Sequence, residues 1–258
     1  MKAKDLVNIM NIHYPESSAY DWDNVGLQVG SLDQEVTGIL ISLDVTMDVL
    51  AEAIQHNANV IVSHHPLVFR PLTNVDTSTI IGSLIAFALQ NNLVIYSAHT
   101  NFDVAPNGLN TILAKRLQIK NQRMLDPLDE TRGLGVIGTL DQALPLQEYL
   151  PQLKHQLEID HVRLIGDEKT MVQTIAVCGG SGSSLIESAR QNGADVLITG
   201  DVTYHHALDV VNHNFCVVDV GHNVERLTLP GLAEVLRQSG VEEPIHISVC
   251  DTDPYTIK

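Results

Sequence analysis

The chain has 258 residues, 44% of them hydrophobic, enough to bury a substantial core as one large α/β domain or as two intimate lobes. Fifteen Lys and Arg against 31 Asp and Glu give a net charge of -16. That balance argues against binding nucleic acid, whose phosphate backbone is held by clustered basic side chains, and against an anionic membrane surface.

In chain order, the opening MKAKDLVNIMNIHYP carries Asp5, Asn8 and Asn11 where a secretory signal needs an apolar core, so no such signal is expected. The apolar runs GILISLD (38–44), NVIVS (59–63), LVIYSA (93–98), QTIAVC (173–178), DVLITG (195–200), FCVVDV (215–220) and HISVC (246–250) predict strands. Helical patterns fall between and around them, over 46–56, 79–91, 107–118, 146–158, 183–191, 203–213 and 231–239. The most membrane-like run, Ile80 to Leu89, is far shorter than the roughly 20 residues a spanning helix needs. Cys178, Cys216 and Cys250 lie singly in or beside apolar runs, without CxxC spacing, and are expected as buried thiols of a cytoplasmic protein.

Near-continuous apolar strands alternating with helices predict an α/β protein with mostly parallel sheets covered on both faces. There is also an internal echo. ILISLDVTMDVLAEAIQHNANVIVSHH and IAVCGGSGSSLIESARQNGADVLITGD share a strand, loop, helix, polar turn, strand and polar tip. Setting Val60 on Val196 puts Ser63 on Thr199 and His65 on Asp201. This layout fits either a duplication or the general likeness of βαβ units. Read as a duplication, it divides the chain into related lobes at 1–125 and 126–258, joined in the polar stretch around 121–133.

The polar punctuation recurs at the carboxyl ends of the predicted strands, where open α/β sheets bind ligands. VIVS runs into His64, His65 and Pro66, and Pro66 pushes the preceding residue out of the helical region. A regular strand sends neighbouring side chains to opposite faces, so two histidines serving one site require the strand to end before them. LVIYSA runs into His99, Asn101 and Asp103; DVLITG into Asp201, His205 and His206; FCVVDV into His222 and Glu225. Of the 12 histidines, His64, His65, His99, His205, His206 and His222 fall just past a strand end. The other six lie on helical or polar stretches with no acidic partner at ligand spacing. An imidazole and carboxylate set without thiolates suits Zn, Fe or Mn. More than four candidate ligands predicts two bridged ions rather than one tetrahedral site.

The motifs SHHPLVF, AHTNFD, TGDVTYHHA and GHNVER, with DWDNVGLQVG near the start, resemble those of the Nif-three-like dinuclear-metal proteins, the GTP cyclohydrolase I type 2 homologues. The likeness runs in order along almost the whole chain. It implies a two-lobed α/β subunit with the metal site at the strand ends between the lobes, and a toroidal homohexamer. It also implies metal ligands at His64, His65, Asp103, His222 and Glu225, and a histidine at His205 suited to general acid/base work. Some relatives space the last His and Glu four apart; here the spacing is three, still one face of a helix. Some relatives carry an additional mid-chain domain for which this chain has no room.

Trp22 and Asn24, with the Asp23 between them, form either a polar wall of the pocket or a loop capping the sheet, and the resemblance favours the wall. His99 and Asn101 are expected to hold the Asp103 loop, since ligands need orienting partners, and Asp201 is placed with them. Cys178-Gly-Gly-Ser-Gly-Ser-Ser184 reads as a phosphate cradle or a tight turn. The function expected is a metal-dependent hydrolase acting on a small molecule, with ring-opening of GTP and formate release as the family's reaction. Another two-metal hydrolysis such as phosphoester cleavage, or a non-enzymatic metal-binding ring, are the alternatives.

Overall fold

The computed structural model describes residues 1–257. In chain order the strands are β1 (Gly26–Val29), β2 (Ile39–Ser42), β3 (Val60–Ser63), β4 (Val94–Ser97), β5 (Lys120–Pro127) and β6 (Gly133–Pro145), then β7 (Arg163–Ile165), β8 (Met171–Ser181), β9 (Val196–Gly200), β10 (Cys216–Asp219) and β11 (Ile245–Ile247). The helices are α1 (Ala3–His13), α2 (Met47–Gln55), α3 (Ile80–Gln90), α4 (Thr100–Asp103) and α5 (Leu109–Arg116), then α6 (Leu146–Leu157), α7 (Ile186–Gln191), α8 (Tyr204–Asn212) and α9 (Leu229–Gln238).

Two compact units divide these elements. The first takes residues from Met1 to Phe102 together with the segment from Leu229 onward; the second takes Asp103–Thr228. The division is therefore not the expected pair of halves meeting near residue 125. The physical reason lies in strand pairing. β5 and β6 form an antiparallel hairpin inside the second unit's sheet, while β11 pairs parallel with β2 and returns the chain end to the first.

In the first unit the sheet order is β1-β4-β3-β2-β11, with only the β1–β4 pair antiparallel. β2, β3 and β4 are buried at every position, which is why they read as unbroken apolar runs. Leu40, Ile61 and Ile95 pack with Val49, Leu50, Ala53, Leu84 and Ala88 from α2 and α3. Both helices start on a threonine cap: Thr46 accepts from the Val49 amide at 3.3 Å and Thr79 from the Gly82 amide at 3.1 Å.

The second unit's sheet has the order β5-β6-β8-β9-β10-β7 and is mixed rather than mostly parallel, since only β8–β9 and β9–β10 are parallel pairs. Its core gathers Ala176, Leu197 and Val217 with Leu185, Ala189 and Val210. The internal echo extends well beyond the stretch that suggested it. β2-β3-β4 and β8-β9-β10 are each parallel and in the same spatial order, and each carries an antiparallel strand, β1 or β7, beside its last member. Through the β3–β4 and β9–β10 registers, Val94 corresponds to Cys216, which sets Asp103 on Glu225.

Among the described residues no helix is long and apolar enough to cross a membrane. Cys178 and Cys216 are buried, as expected, whereas Cys250 is only partly covered.

Candidate metal centre

Strand β3 stops at Ser63, and His64 and His65 sit on the bend beyond it, as the Pro66 reading requires. The bend is held by backbone and hydroxyl bonds. His64 and His65 amides donate to Ser42 and Leu43 carbonyls at 3.0 and 2.9 Å, and the Ser63 and Ser97 hydroxyls donate to the His65 and His64 carbonyls, each at 2.8 Å. With the backbone fixed, the two rings lie with centroids 4.9 Å apart, and His99 from the end of β4 stands 5.1 and 5.5 Å from them. The three imidazoles can offer nitrogens within 4.8 Å of one another. In the first unit, then, three strand-end histidines converge.

Each ring is turned by its Nδ1. His64 Nδ1 lies 2.9 Å from the Ala98 carbonyl, His65 Nδ1 2.7 Å from Asp44, and His99 Nδ1 2.9 Å from Asp23. An oxygen acceptor at Nδ1 selects the Nδ1–H tautomer and leaves the lone pair on Nε2, the arrangement of a metal-ligating histidine. The Asp23 side chain is fully enclosed. Burial opposes its ionisation, yet bonds from His99, the Thr100 hydroxyl at 2.6 Å and the Thr100 amide at 3.0 Å outweigh it and hold its carboxyl down to about 2. It is thus an anion throughout the neutral range.

The second unit supplies carboxylates. Asp103 closes α4, and Glu225 sits in a 3-10 turn that begins at His222, directly after β10. Each offers an oxygen within 4.8 Å of the other. Their charge is felt by Cys178, whose thiol is pushed up first by burial and then by Asp103 and Glu225. His222 repeats the orienting pattern, with Nδ1 2.7 Å from Asp201, while its Nε2 lies 3.1 Å from Glu225 Oε2. With Nδ1 as the donor, Nε2 and the carboxylate oxygen are two lone-pair bearers facing each other, which calls for a cation or a proton between them. Ligands about 2.0–2.1 Å from one ion stand roughly 3 Å apart, so this pair fits a shared ion. The three-residue spacing works because the turn is 3-10, which eclipses i and i+3.

Several expectations change in detail. Asn101 does not hold the Asp103 loop: it is buried and donates to the Tyr14 carbonyl at 2.8 Å, tying the β4 corner to the end of α1. The loop is held instead by Asn110, absent from the sequence reading, whose amide donates to the Asp103 carbonyl at 3.0 Å and accepts from the Gly179 amide at 2.9 Å. The Cys178–Ser184 stretch is not a phosphate cradle. It continues β8, its Gly179 and Gly182 amides are taken by Asn110 and Thr199, and the helix after it is only six residues long. Its glycines serve Glu225: Gly180 has φ +60, and a Cβ there would lie 2.4 Å from Glu225 Oε1. His205 is exposed on the first turn of α8, in ring contact with Tyr204, and belongs to none of the ligand groups. Asp44, too, was invisible beforehand, because it reaches His65 from the end of a different strand.

Residues 1–254 match the model of the family described as Duf34/NIF3 (NGG1p interacting factor 3). A Clostridium acetobutylicum protein named GTP cyclohydrolase 1 type 2 homolog is 35% identical over 266 aligned residues, covering 100% of this chain and 99% of that one. Among solved structures, a Bacillus cereus protein related to NIF3 superposes with a TM-score of 0.96 at 28% identity, covering 100% and 99% of the two chains. A Staphylococcus aureus protein does so with a TM-score of 0.94 at 31% identity, with the same coverage.

Proposed function

Because the chain belongs to the Duf34/NIF3 family, we propose that His64, His65, Asp103, His222 and Glu225 together hold two divalent transition-metal ions, Zn, Fe or Mn, and that the protein is a metal-dependent hydrolase. The observation that carries this is the common posture of the imidazoles: His64, His65 and His222 each spend Nδ1 on an oxygen at 2.7–2.9 Å and present Nε2. His99 takes the same posture on Asp23, so the posture supports a ligand role best where, as at His222, the freed Nε2 also faces a carboxylate oxygen at 3.1 Å.

Bound ions would supply Lewis acidity and bring a water's pKa towards neutrality. The chain's own part is orientation and proton traffic. Asp44 and Asp201 fix the tautomers of His65 and His222, Glu225 stays enclosed at 3% exposure beside Gly180, and exposed His205 carries protons to and from solvent. The name borne by the C. acetobutylicum relative supports a finer reading, in which the substrate is GTP, opened at the guanine imidazole carbon with release of formate. The working protein in this reading is a cytoplasmic ring of six copies.

The test is elemental analysis of protein purified without chelator, together with formate release from GTP. About two ions per chain are expected in the wild type, with sharp loss in His64→Ala and Glu225→Ala. Full occupancy in both variants removes these residues as ligands. Full occupancy without turnover of GTP, nucleotides or phosphoesters leaves a metal-binding protein that is not a hydrolase.

A further inference from the structure

Beyond β11 the described residues form no helix or strand, and the segment from Ser248 to Thr252 lies on the first unit with little apolar burial: Val249 is 88% exposed. Polar bonds hold it there instead. The Ser248 amide donates to the Ile41 carbonyl at 2.8 Å, continuing the line of β11 along β2. Glu52 on α2 then gathers three donors in a row. It accepts from the Ser248 hydroxyl, from the Val249 amide at 2.9 Å and from the Cys250 thiol at 3.3 Å. Glu52 is only 7% exposed, and a buried carboxylate demands donors of this kind. Cys250 also packs against the core that α2 and α3 cover. The segment is therefore clamped two residues before Thr252.

That clamp delivers the Thr252 hydroxyl to Asp44, 2.6 Å from Oδ2. The other oxygen, Oδ1, lies 2.7 Å from His65 Nδ1. A carboxylate only accepts, so the hydroxyl donates from one side and the imidazole N–H from the other. Donors on both oxygens fix the plane of the carboxylate, which one bond alone does not. Burial does not set that plane, because the Asp44 side chain is 35% exposed. His64 is built differently: its Nδ1 meets the Ala98 backbone carbonyl at 2.9 Å, with no side chain between ring and backbone.

We propose that Thr252 is a positioning residue for His65: acting through Asp44, it holds the ring as the Nδ1–H tautomer with Nε2 presented, and the segment from Ser248 to Thr252 is the strap that puts it there. This deepens the metal-centre reading above, on which its consequence for ion binding rests.

The test is 15N NMR of the histidine ring nitrogens in metal-free protein, with the His64 and His65 signals assigned by their loss in His64→Ala and His65→Ala. Both rings are expected as the Nδ1–H tautomer in the wild type. Thr252→Val should leave His64 unchanged and turn His65 into a mixture of tautomers, and Thr252→Ser should restore it. Chelator competition on the metal-loaded protein then reads the consequence. Thr252→Val should weaken binding by about 3- to 10-fold, a fraction of the roughly 10- to 100-fold lost with a ligand's own partner. In the Asp44→Ala background it should cost nothing further, because the linkage passes through Asp44. An unmoved His65 signal in Thr252→Val, no restoration in Thr252→Ser, or the full extra loss on top of Asp44→Ala would each overturn the proposal. So would equal disturbance of His64, which would mean that the variant loosens the whole corner. The two readings fail separately. Wild-type protein that takes up no ion sinks the metal centre and leaves the Thr252–Asp44–His65 linkage standing on its ring signals; ion uptake by a wild type whose His65 is already a tautomer mixture sinks the linkage alone.

Discussion

At the scale of single residues, the candidate centre would depend on groups outside the proposed ligand set. Asp44, Asp23 and Asp201 each hold an imidazole Nδ1. Asp201 does so from a left-handed backbone, φ +55, a conformation that side chains other than Gly, Asn and Asp seldom take. Asp44 is itself fixed by the Thr252 hydroxyl at 2.6 Å. Replacing Asp44 with Ala should therefore reduce metal affinity by about 10- to 100-fold without unfolding the chain, read by competition against a chromogenic chelator alongside circular dichroism. Wild-type affinity in that variant would show that the His65 tautomer needs no anchor. Gly180 makes a sharper case. A methyl group there would have to occupy the place of the Glu225 carboxylate, 2.4 Å from Oε1, and the left-handed φ adds strain. Gly180→Ala is expected to lose metal nearly as completely as Glu225→Ala while leaving the Cys178 thiol buried; near-full occupancy would mean that Glu225 can move aside and still ligate.

At the scale of elements, the corners between helix and strand share one device. Asn57 ends α2 before β3, Asn92 ends α3 before β4, and Asn214 ends α8 before β10, all with φ between 50 and 53; Gly193 does the same before β9. Asn tolerates the left-handed region where most residues do not, so Asn57→Ala should cost about 1–2 kcal/mol in urea unfolding and Asn57→Gly far less. Equal losses in both would locate the Asn57 contribution in its side chain instead. These same corners explain what the sequence revealed. Fully buried strands such as VIVS and LVIYSA, closed by a helix and an Asn turn, announce themselves. β5 stayed hidden because it is an edge strand of mostly exposed polar residues, and it read as a join between lobes. β1 and β7, only four and three residues long, are too short to show a period. A further element-scale expectation concerns the segment after β11. Glu52 on α2 is buried, which would raise its pKa, but the Ser248 hydroxyl, the Val249 amide at 2.9 Å and the Cys250 thiol at 3.3 Å hold it below the ordinary glutamate range. A depressed folded pKa stabilises above the unfolded value and is lost as pH falls through the folded one. The Val249 amide signal should therefore titrate with a midpoint below that of an ordinary glutamate and should cease to do so in Glu52→Gln.

At the scale of the whole molecule, the proposed ligand set is divided along the chain: His64 and His65 belong to the first unit, and Asp103, His222 and Glu225 to the second. The candidate ligands and Asp201 were legible because each stands just beyond a strand, whereas Asp44, Asn110 and Gly180 were not, since they reach the candidate ligands from other elements. The β2-β3-β4 and β8-β9-β10 layouts share order and direction, and they place Asp103 and Glu225 at equivalent positions beyond their last strands. Ions held by these residues would bind the folded chain and not the unfolded one, stabilising it by about 2.7 kcal/mol at a free metal concentration 100 times Kd. For a chain of this size that corresponds to a shift of roughly 5–10 °C in Tm. Removing metal with a chelator should therefore lower Tm by several degrees, and hydrogen exchange should quicken at both strand-end corners, residues 63–66 and 221–225, to a similar extent. If the corner at 63–66 loosens while that at 221–225 does not respond, the ions are held by the first unit's histidines alone, and His222 and Glu225 face each other across a proton instead.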